Sequence, residues 1–341
     1  MKFIELYKEK INASLKRFLE NKVKEDGAYS DETKLLIENI LEFNLRGGNR
    51  IRPLIVIFAY NCFKEGEESQ IIDASIAIEL MQAYFLIHDD IIDNSDLRRG
   101  GPSMHKLYGL KDEMFGKSVA IIAGDVCASY VYEIILNSKF SDSAKLKALE
   151  WLTWIDRRVN YGQEIDLLPG FEKLKENEVM KIYELKTASY TAQGPVFLGA
   201  ALASATDKEI SQLKEYGYKI GLAFQIQDDI LGVYGRVKET GKPNDSDIKE
   251  GKKTLLIAKA LEFCNAEDKE FLLKNYGSRS ISDETLEKIK EIINTCKSLQ
   301  YCKNKIKQFV LEGKNSILDL KLQKKGKEHL LEIADYVQNL V

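Results

Sequence analysis

The sequence has little proline, little histidine and no excess of basic residues. Only five prolines occur in 341 residues, well below the usual ~5% of residues, and scarce proline permits long uninterrupted helices. Fifty Lys and Arg residues stand against 53 Asp and Glu residues, which gives a net charge of −3. This balance argues against a protein that binds the phosphate backbone of a nucleic acid.

Cysteine pairs, a signal peptide and long apolar runs are also missing. The five cysteines are scattered and odd in number, which is typical of a reduced intracellular protein. With three histidines, a His/Cys zinc site is not expected, and any metal should be a hard cation bound by oxygen. Met1 to Glu20 has amphipathic charge spacing, and no apolar run reaches the ~20 residues of a membrane span. We expect a cytoplasmic protein without a membrane span.

Helical patterning covers most of the chain. Ser30 and Ser282 are potential N-caps of apolar-periodic segments, and Thr206 to Glu209 has the spacing of a capping box. Ile51–Tyr60 is interpreted as a core helix because the sequence lacks strands to pair with it. Breaks are expected at Gly47-Gly48, Arg98 to Pro102, Leu168 to Gly170, Gly194-Pro195 and Gly235 to Lys253. No Ser/Pro-rich linker divides the chain, so the pattern predicts a single all-α domain over residues 1–341.

Two acidic clusters lie in apolar helical patterns that run roughly over Ile71 to Ile92 and Ile210 to Leu231. The clusters are Asp89, Asp90 and Asp93, and Asp228 and Asp229. A carboxylate in apolar surroundings must be matched by a cation or lose its charge. Residues four apart share a helix face, so Asp89 and Asp93 can hold the same ion. Mg²⁺ takes few protein ligands and completes its shell with water and phosphate oxygens. The alternative for the first cluster alone is a solvated acidic helix end.

Basic residues follow both clusters. Arg98 and Arg99 come after the first, and Lys242, Lys252 and Lys253 come after the second. Arginine matches phosphate oxygens in pairs and lysine supplies a point charge. The repeated order of acid and base therefore indicates a phosphorylated ligand bound through metal ions. Gly217 and Gly221, in the second pattern, predict a close approach of another helix.

The sequence resembles the trans-isoprenyl diphosphate synthases (polyprenyl synthetases), of the short-chain farnesyl and geranylgeranyl diphosphate synthase type. The resemblance spans most of the chain and depends on several motifs that occur in the family's order. These are GGNRIRP from Gly47, HDDIIDNSDLRRGGP from His88, AGD from Ala123, GQEIDLL from Gly162, Lys186-Thr187, FQIQDDILG from Phe224 and GKPNDSDIKEGKKT from Gly241.

The resemblance implies an all-α, single-domain helical bundle around a central catalytic cavity (the isoprenoid synthase fold), usually as a homodimer. It also implies a prenyltransferase that condenses isopentenyl diphosphate with an allylic diphosphate (dimethylallyl, geranyl or farnesyl), using roughly three Mg²⁺ ions. A terpene cyclase and a non-catalytic partner subunit are the alternatives. A cyclase has no need of a second diphosphate site, and the intact acidic clusters argue against a non-catalytic subunit.

The family's residue roles carry over to matching positions. The metal ligands implied are Asp89, Asp93 and Asp228, with Asp90, Asp229 and Asp166 in support. The groups implied to clamp the allylic diphosphate are Arg98, Lys186 and Lys252, with Lys242 as a further substrate-binding residue. Those implied to hold isopentenyl diphosphate are Arg52, Gln82 and Arg99, with Asn49 at a position of the same site. Thr187 and Gln225 would face the reacting carbons.

Product length is expected to depend on Tyr84 and Phe85. Phe85 lies one helical turn before Asp89, and a growing chain descending from the metals would meet both rings. Paired aromatics at these positions resemble the farnesyl-forming arrangement, which predicts farnesyl diphosphate as the main product, with geranylgeranyl diphosphate as the rival. The alternative is that both are ordinary core residues.

Two positions depart from the family pattern. Asn49 stands where a lysine usually meets isopentenyl diphosphate, and either Arg46 or Arg50 could compensate for the missing charge. Gly232 stands where many members have the last Asp of the second cluster, so that only Asp228 and Asp229 remain there.

Overall fold

A computed structural model describes residues 2–66, 68–109, 112–168, 170–171, 174–235, 246–278 and 280–340. Nearly all regular structure in these residues is helical, which confirms the all-α class. The α-helices are α1 (Lys2–Glu25), α2 (Asp31–Leu45), α3 (Ile51–Tyr60), α4 (Glu68–Ile92), α5 (Met104–Tyr108), α6 (Glu113–Leu136), α7 (Asp142–Leu167), α8 (Glu176–Ile182), α9 (Gly194–Leu202), α10 (Asp207–Gln212), α11 (Lys214–Tyr234), α12 (Ser246–Glu250), α13 (Leu255–Phe263), α14 (Ala266–Asn275), α15 (Asp283–Thr295), α16 (Ser298–Leu318) and α17 (Lys324–Gln338). A 3₁₀ turn (Asp26–Ala28) follows α1, and a π-helical segment (Tyr183–Gln193) joins α8 to α9.

The chain forms two compact units. Unit 1 comprises Met1–Glu150, Phe197–Thr206 and Gln323–Gly326, and unit 2 comprises Trp151–Val196, Asp207–Leu322 and Lys327–Val341. The first acidic cluster belongs to unit 1 and the second to unit 2. The single-domain organisation expected from the sequence stays a prediction.

The core of unit 1 is built on α3 and α4. Every residue of Ile51–Tyr60 is buried, which confirms the interpretation of this segment as a core helix. Helix α4 packs against α3 and α6, and it is apolar around most of its circumference, as expected of a helix with neighbours on several sides. The α4 pattern ends in the first acidic cluster, which therefore lies at the edge of this core.

The core of unit 2 is built on α11. This helix packs against the π-helical segment and α16. A Cβ atom at Gly221 would lie 2.6 Å from the Cα atom of Ala188, and one at Gly217 would lie 2.6 Å from that of Gln193. Real Cβ atoms do not approach other atoms this closely. Both glycines therefore permit the close helix approach that the sequence predicts.

The two serine caps expected from the sequence were confirmed. The side chains of Ser30 and Ser282 accept hydrogen bonds from the backbone N–H groups of Thr33 and Thr285, as N-caps do. The break expected at Gly194-Pro195 is wrong, because the π-helical segment continues directly into α9. Proline lacks a backbone donor, and Pro195 lies where the helix leaves the π register, in which the N–H of Gly194 donates to the carbonyl oxygen of Ser189.

The break expected at Arg98 to Pro102 contains a small hairpin. Strand β1 (Leu97–Arg98) pairs antiparallel with β2 (Gly101–Pro102). Arg99 and Gly100 form the turn with φ angles of 50° and 76°, and positive φ at both central residues is typical of a type I′ turn. The turn places Arg98 and Arg99 next to each other just beyond the first acidic cluster.

Helices α4 and α6 are long and apolar enough to meet the length and composition of a membrane span, and most of the apolar window of α4 is buried within the protein. Core helices of soluble proteins meet the same criterion, so the two helices are weak evidence for a membrane protein.

Candidate active site

The first acidic cluster contains two kinds of carboxylate. The backbone N–H of Asp93 donates to the carbonyl oxygen of Asp89 at 2.8 Å, so these residues lie on the same face of the helix end. Both are partly exposed. Asp90 is fully buried, and its carboxylate accepts hydrogen bonds from Nε of Arg98 at 2.9 and 3.2 Å. Asp89 and Asp93 can thus be reached by a metal ion, whereas Asp90 is occupied by Arg98.

Arg98 is held in its charged form by this cluster. Burial of the guanidinium alone would lower its pKa, but Asp90, Asp89 and Asp93 together raise that pKa above its ordinary value. The side chain is 12% exposed, and its Nη2 lies 3.9 Å from Oδ2 of Asp89. Arg98 is therefore a fixed cation beside the two accessible carboxylates.

Four arginines lie together near the start of α3 and the hairpin: Arg50, Arg52, Arg98 and Arg99. We call them the arginine cluster. Burial lowers the pKa of Arg99 to about 10, helped by the positive charges of the other three, while Glu79 acts in the opposite direction. Nη1 of Arg99 donates to the carbonyl oxygen of Gly47 at 2.9 Å. A buried group of like charges is costly unless an anion joins it. The cluster is therefore suited to bind an anionic ligand.

Glu79 is an acidic residue that contacts two members of the arginine cluster. It is 2% exposed, forms a close ion pair with Arg50 and lies 3.8 Å from Nη2 of Arg99. Its Oε2 is buried without a hydrogen-bond partner among the described residues. The sequence interpretation missed Glu79. An acidic residue in the otherwise apolar pattern of α4 was the available signal.

Neither arginine suggested as a substitute for the missing lysine at position 49 is available in this structure. Arg50 is buried, with further hydrogen bonds to the side chain of Asn12 at 2.8 Å and the carbonyl oxygen of Asn44 at 2.6 Å. Arg46 binds the carboxylate of Glu42 at 2.8 Å and the carbonyl oxygen of Pro102 at 2.7 Å. The side chain of Asn49 accepts from the backbone N–H of Ile51 at 3.2 Å.

The predicted chain-length residues lie on α4 where the spacing placed them. The rings of Tyr84 and Phe85 are half-buried, with centroids 4.6 Å apart. Tyr84 also packs edge-on against His88, with centroids 5.0 Å apart, and Nε2 of His88 lies 3.1 Å from the carbonyl oxygen of Ile121 on α6. His88 thus holds one side of the Tyr84 ring. Gln82, on the same helix, is partly buried.

The second acidic cluster repeats the division seen in the first. Asp228 is exposed and Asp229 is 4% exposed. Tyr183 donates a short hydrogen bond to Asp229, and Nε2 of Gln225 donates another at 2.6 Å. Burial raises the pKa of Asp229 well above its usual range, although these two hydrogen bonds act to lower it. Asp228 can be reached by a metal ion, whereas Asp229 is buried and holds Tyr183 and Gln225 in place through hydrogen bonds.

A chain of hydrogen bonds connects Asp229 to the π-helical segment. Gln225 accepts from the hydroxyl of Thr187 through its Oε1 while donating to Asp229 through its Nε2. The hydroxyl of Tyr183 accepts from the backbone N–H of Leu255 at 2.7 Å while donating to Asp229. Thr187 and Gln225 are therefore in direct contact, and their expected role at the reacting carbons stays a prediction. Tyr183 was missed, because no local pattern distinguishes it from a core aromatic residue.

Each cation expected to clamp the allylic diphosphate is paired with an aspartate. Arg98 is paired with Asp90, Nζ of Lys186 lies 2.7 Å from Oδ2 of Asp166, and Nζ of Lys252 lies 3.3 Å from Oδ1 of Asp247. Lys253 instead binds carbonyl oxygens at the end of α7, including that of Asp166 at 3.0 Å. Lys242 lies outside the described residues.

The donor types fit a magnesium site. Within the described ranges, no three His, Cys, Asp or Glu side chains form a complete metal-binding group. Mg²⁺ ordinarily takes one or two protein carboxylates and completes its shell with water and phosphate oxygens. In unit 1, the accessible carboxylates of Asp89 and Asp93 are oxygen donors of this kind beside the cation of Arg98. In unit 2, Asp228 is an exposed carboxylate of the same type.

Residues 34–294 match the polyprenyl synthetase family. The chain belongs to this family. It is a prenyltransferase, and the resemblance identified from the motifs is confirmed. Among curated relatives, the chain is 35% identical over 288 residues to a short chain isoprenyl diphosphate synthase of Methanocaldococcus jannaschii, with 84% of this chain and 81% of that protein covered. It is 36% identical over 253 residues to a geranylgeranyl diphosphate synthase of Sulfolobus acidocaldarius, with 72% and 73% covered.

The fold is that of solved prenyl synthases. The geranylgeranyl pyrophosphate synthase of Corynebacterium glutamicum, solved with isoprenyl diphosphate and magnesium, is 28% identical in sequence. It superimposes with a TM-score of 0.90 over 98% of this chain and 99% of that one. The isoprenoid synthase fold expected from the motifs is thereby confirmed.

Proposed function

We propose that this polyprenyl synthetase condenses isopentenyl diphosphate with allylic diphosphates and makes geranylgeranyl diphosphate as its main product. The observation that carries the proposal is the presence of Arg52 and Arg99 in the arginine cluster, two largely buried cations besides Arg98 and the Asp and Lys groups expected to hold the allylic diphosphate through metal. A synthase needs to bind two diphosphates, whereas a cyclase needs to bind one. The cluster therefore favours chain elongation over cyclisation.

The reaction starts when the allylic carbon–oxygen bond breaks, leaving a carbocation and diphosphate. Bound Mg²⁺ would neutralise the charge that develops on the leaving group. Asp89, Asp93 and Asp228 would hold the ions. Arg98, Lys186 and Lys252 would bind the diphosphate oxygens, as fixed positive charges positioned before the bond breaks.

The second half of the reaction joins the two substrates. The double bond of isopentenyl diphosphate attacks the carbocation, and a new carbon–carbon bond forms. Loss of a proton to the departed diphosphate then restores a double bond, giving a product five carbons longer. Arg52 and Arg99 would hold the diphosphate of isopentenyl diphosphate, with Gln82 beside them. The hydroxyl of Thr187 and the amide oxygen of Gln225 would direct their dipoles at the cation.

The preference for geranylgeranyl over farnesyl diphosphate follows the named relatives. Both the Sulfolobus acidocaldarius and the Corynebacterium glutamicum proteins are geranylgeranyl synthases, and the farnesyl product expected from Tyr84 and Phe85 receives no such support. The contact between Tyr84 and His88 supplies a reason, because a ring held against His88 is less free to close the path of a growing chain. The sequence shows that Tyr84 and Phe85 carry aromatic rings, but it does not show in which direction those rings point.

We further propose that the protein is a cytoplasmic homodimer that pairs through α6. This helix exposes an unusual number of large apolar side chains, which are Met114, Phe115, Ile121, Ile122 and Leu136 at 47 to 70% exposure. Large apolar side chains that are exposed together on one helix are typical of an interaction site. A second copy of the chain is the occupant that the family resemblance implies.

The test is a product assay with purified protein, Mg²⁺, labelled isopentenyl diphosphate and dimethylallyl, geranyl or farnesyl diphosphate as starter. The proposal predicts a twenty-carbon product from all three starters by chromatography. Accumulation of the fifteen-carbon product would instead establish a farnesyl synthase, and cyclic hydrocarbon a cyclase. Absence of product with every starter would refute the enzymatic proposal.

A further inference from the structure

Gly232 leaves the second acidic cluster one carboxylate short on the face that carries Asp228. The two residues are four apart on α11, the same spacing as Asp89 and Asp93 on α4. Side chains at this spacing lie one above the other on a helix. An acidic residue at position 232 would therefore stand beside Asp228, but glycine offers no side chain.

The carboxylate of Asp247 fills the space that a side chain at position 232 would need. A Cβ atom on Gly232 would lie 2.0 Å from Oδ2 of Asp247 and 2.6 Å from its Cγ. Asp247 is 8% exposed. Its other oxygen, Oδ1, lies 3.3 Å from Nζ of Lys252, so one oxygen faces the helix position and the other faces a cation.

The backbone fixes Asp247 in this position. The N–H of Lys252 donates to the carbonyl oxygen of Asp247 at 3.0 Å, and the N–H of Gly277 donates to that of Ile248 at 2.9 Å. The hydroxyl of Tyr276 donates to the carbonyl oxygen of Lys252 at 2.6 Å. These bonds tie the segment after α12 on two sides. The backbone at Asp247 is thus fixed by the fold, and the contact of Oδ1 with Lys252 holds the carboxylate.

We infer that Asp247 supplies the third carboxylate of the second acidic cluster from a different part of the chain, in place of an acidic residue at position 232. This inference rests on the proposed function. Asp247 acts as a positioning residue: its negative charge beside Asp228 favours the divalent ion bound there, and its contact with Lys252 keeps that cation next to the same ion's diphosphate. The small size of Gly232 is what makes room for it.

The experiment measures Mn²⁺ binding by electron paramagnetic resonance, first alone and then with inorganic diphosphate. An Asp89→Asn/Asp93→Asn background restricts the signal to the second cluster. Asp247→Asn keeps the shape and removes the charge, and Mn²⁺ affinity should fall about 10-fold, in the range seen when groups that orient a metal site are removed. Asp319→Asn, at an exposed position of the same unit, is the matched control and should change nothing.

The decisive comparison moves the carboxylate from position 247 to position 232. Gly232→Asp alone should bind Mn²⁺ poorly because its Cβ collides with Asp247. The double variant Gly232→Asp/Asp247→Ala, which removes the colliding atoms, should recover most of the lost affinity. Lys252→Met tests a purely indirect role. If Asp247 acts through its own negative charge, loss of the Lys252 cation should leave the affinity for Mn²⁺ alone unchanged or higher. A loss as large as that of Asp247→Asn would show that Asp247 serves only to hold Lys252, and it would overturn the inference.

Unchanged Mn²⁺ affinity in Asp247→Asn would overturn the inference, and so would a folded double variant without recovery. Should the double variant fail to fold, Asp247→Asn against Asp319→Asn decides alone. Failure of the proposed function would show differently, as wild-type protein that forms no prenyl product. Failure of this inference would leave wild-type product formation intact.

Discussion

Substitution by asparagine should have different effects on the two neighbouring carboxylates at the end of α4. It should lower stability at Asp90 and lower catalytic activity at Asp89. Asp90 is fully buried and paired with Arg98, whose side chain is 12% exposed. Removing one partner of a buried pair leaves an uncompensated charge and costs about 3 to 5 kcal/mol. Asp89, 3.9 Å from the same guanidinium, retains part of the compensation. We therefore expect Asp90→Asn to lower the free energy of unfolding by about 3 kcal/mol.

Asp89→Asn is the matched comparison. Asp89 is 20% exposed, and its carboxylate lies at the outer limit of an ion pair with Arg98, so the free energy of unfolding should change by less than about 1 kcal/mol. Catalysis should suffer instead, because Asp89 is a proposed metal ligand. We expect kcat/KM to fall at least about 100-fold, as when a group that stabilises developing charge is lost.

Urea unfolding at pH 7 checks both expectations, and a double-mutant cycle isolates the pair. The variants are Asp90→Asn, Arg98→Met and their combination. The coupling free energy between Asp90 and Arg98 should be about 2 to 3 kcal/mol, because removing both charges avoids stranding either one. A coupling below about 0.5 kcal/mol, the level at which independent sites add, would refute the buried pair. Equal losses of stability in Asp89→Asn and Asp90→Asn would refute the proposed division of roles.

Three further predictions concern stability, product length and assembly. Burial would raise the pKa of Glu176, but hydrogen bonds led by that from Lys259 lower it from 4.5 to about 2. The contribution of the Glu176 charge to the free energy of unfolding is thus present above pH 4.5 and lost as the pH falls toward 2. Glu176→Gln should therefore lower the free energy of unfolding by about 1 to 2 kcal/mol at pH 7, after allowance for partial exposure. Urea titrations below pH 4.5 should show a smaller loss. Tyr84→Ala/Phe85→Ala should shift the product beyond twenty carbons in the chromatographic assay, because the volume of both rings is opened. Ile122→Glu should halve the mass measured by light scattering, since a buried unpaired charge disfavours an apolar interface.

Each of these has an outcome that contradicts it. A Glu176→Gln penalty that stayed constant between pH 7 and pH 3 would remove the charge of Glu176 from the explanation. An unchanged product from the double alanine variant would make the two rings ordinary core residues. A dimer that survived Ile122→Glu would place the interface away from α6, with Glu113→Gln, at the exposed start of the same helix, as the control that should leave the mass unchanged.

Sequence periodicity was sufficient to predict much of the helical structure. The core helix at Ile51–Tyr60 and the caps at Ser30 and Ser282 follow from local rules, since burial and capping leave short-range signals. The continuous helix at Gly194-Pro195 did not, because the register change that accommodates proline lies in the preceding π-helical segment. Local propensity contains no information about such a shift.

The roles of individual residues within the site could be assigned only from the three-dimensional structure. Asp89 and Asp90 are adjacent and chemically identical in the sequence, yet only one is buried against Arg98. Glu79, Tyr183 and Asp247 contribute through partners distant along the chain, and no spacing rule connects them. The shortage of carboxylates inferred at Gly232 is of the same kind, because the group that compensates comes from a later segment.

The most direct test of the central claim measures the two diphosphate sites separately by isothermal titration calorimetry. Isopentenyl diphosphate should bind without Mg²⁺, through Arg52 and Arg99 of the arginine cluster, and Arg99→Met should abolish this binding. A non-reactive allylic thiolodiphosphate should bind only with Mg²⁺, and Asp228→Asn should abolish that binding while leaving the first intact. If both ligands require Mg²⁺, or if one substitution abolishes both, the account of two diphosphate sites with distinct chemistry is wrong.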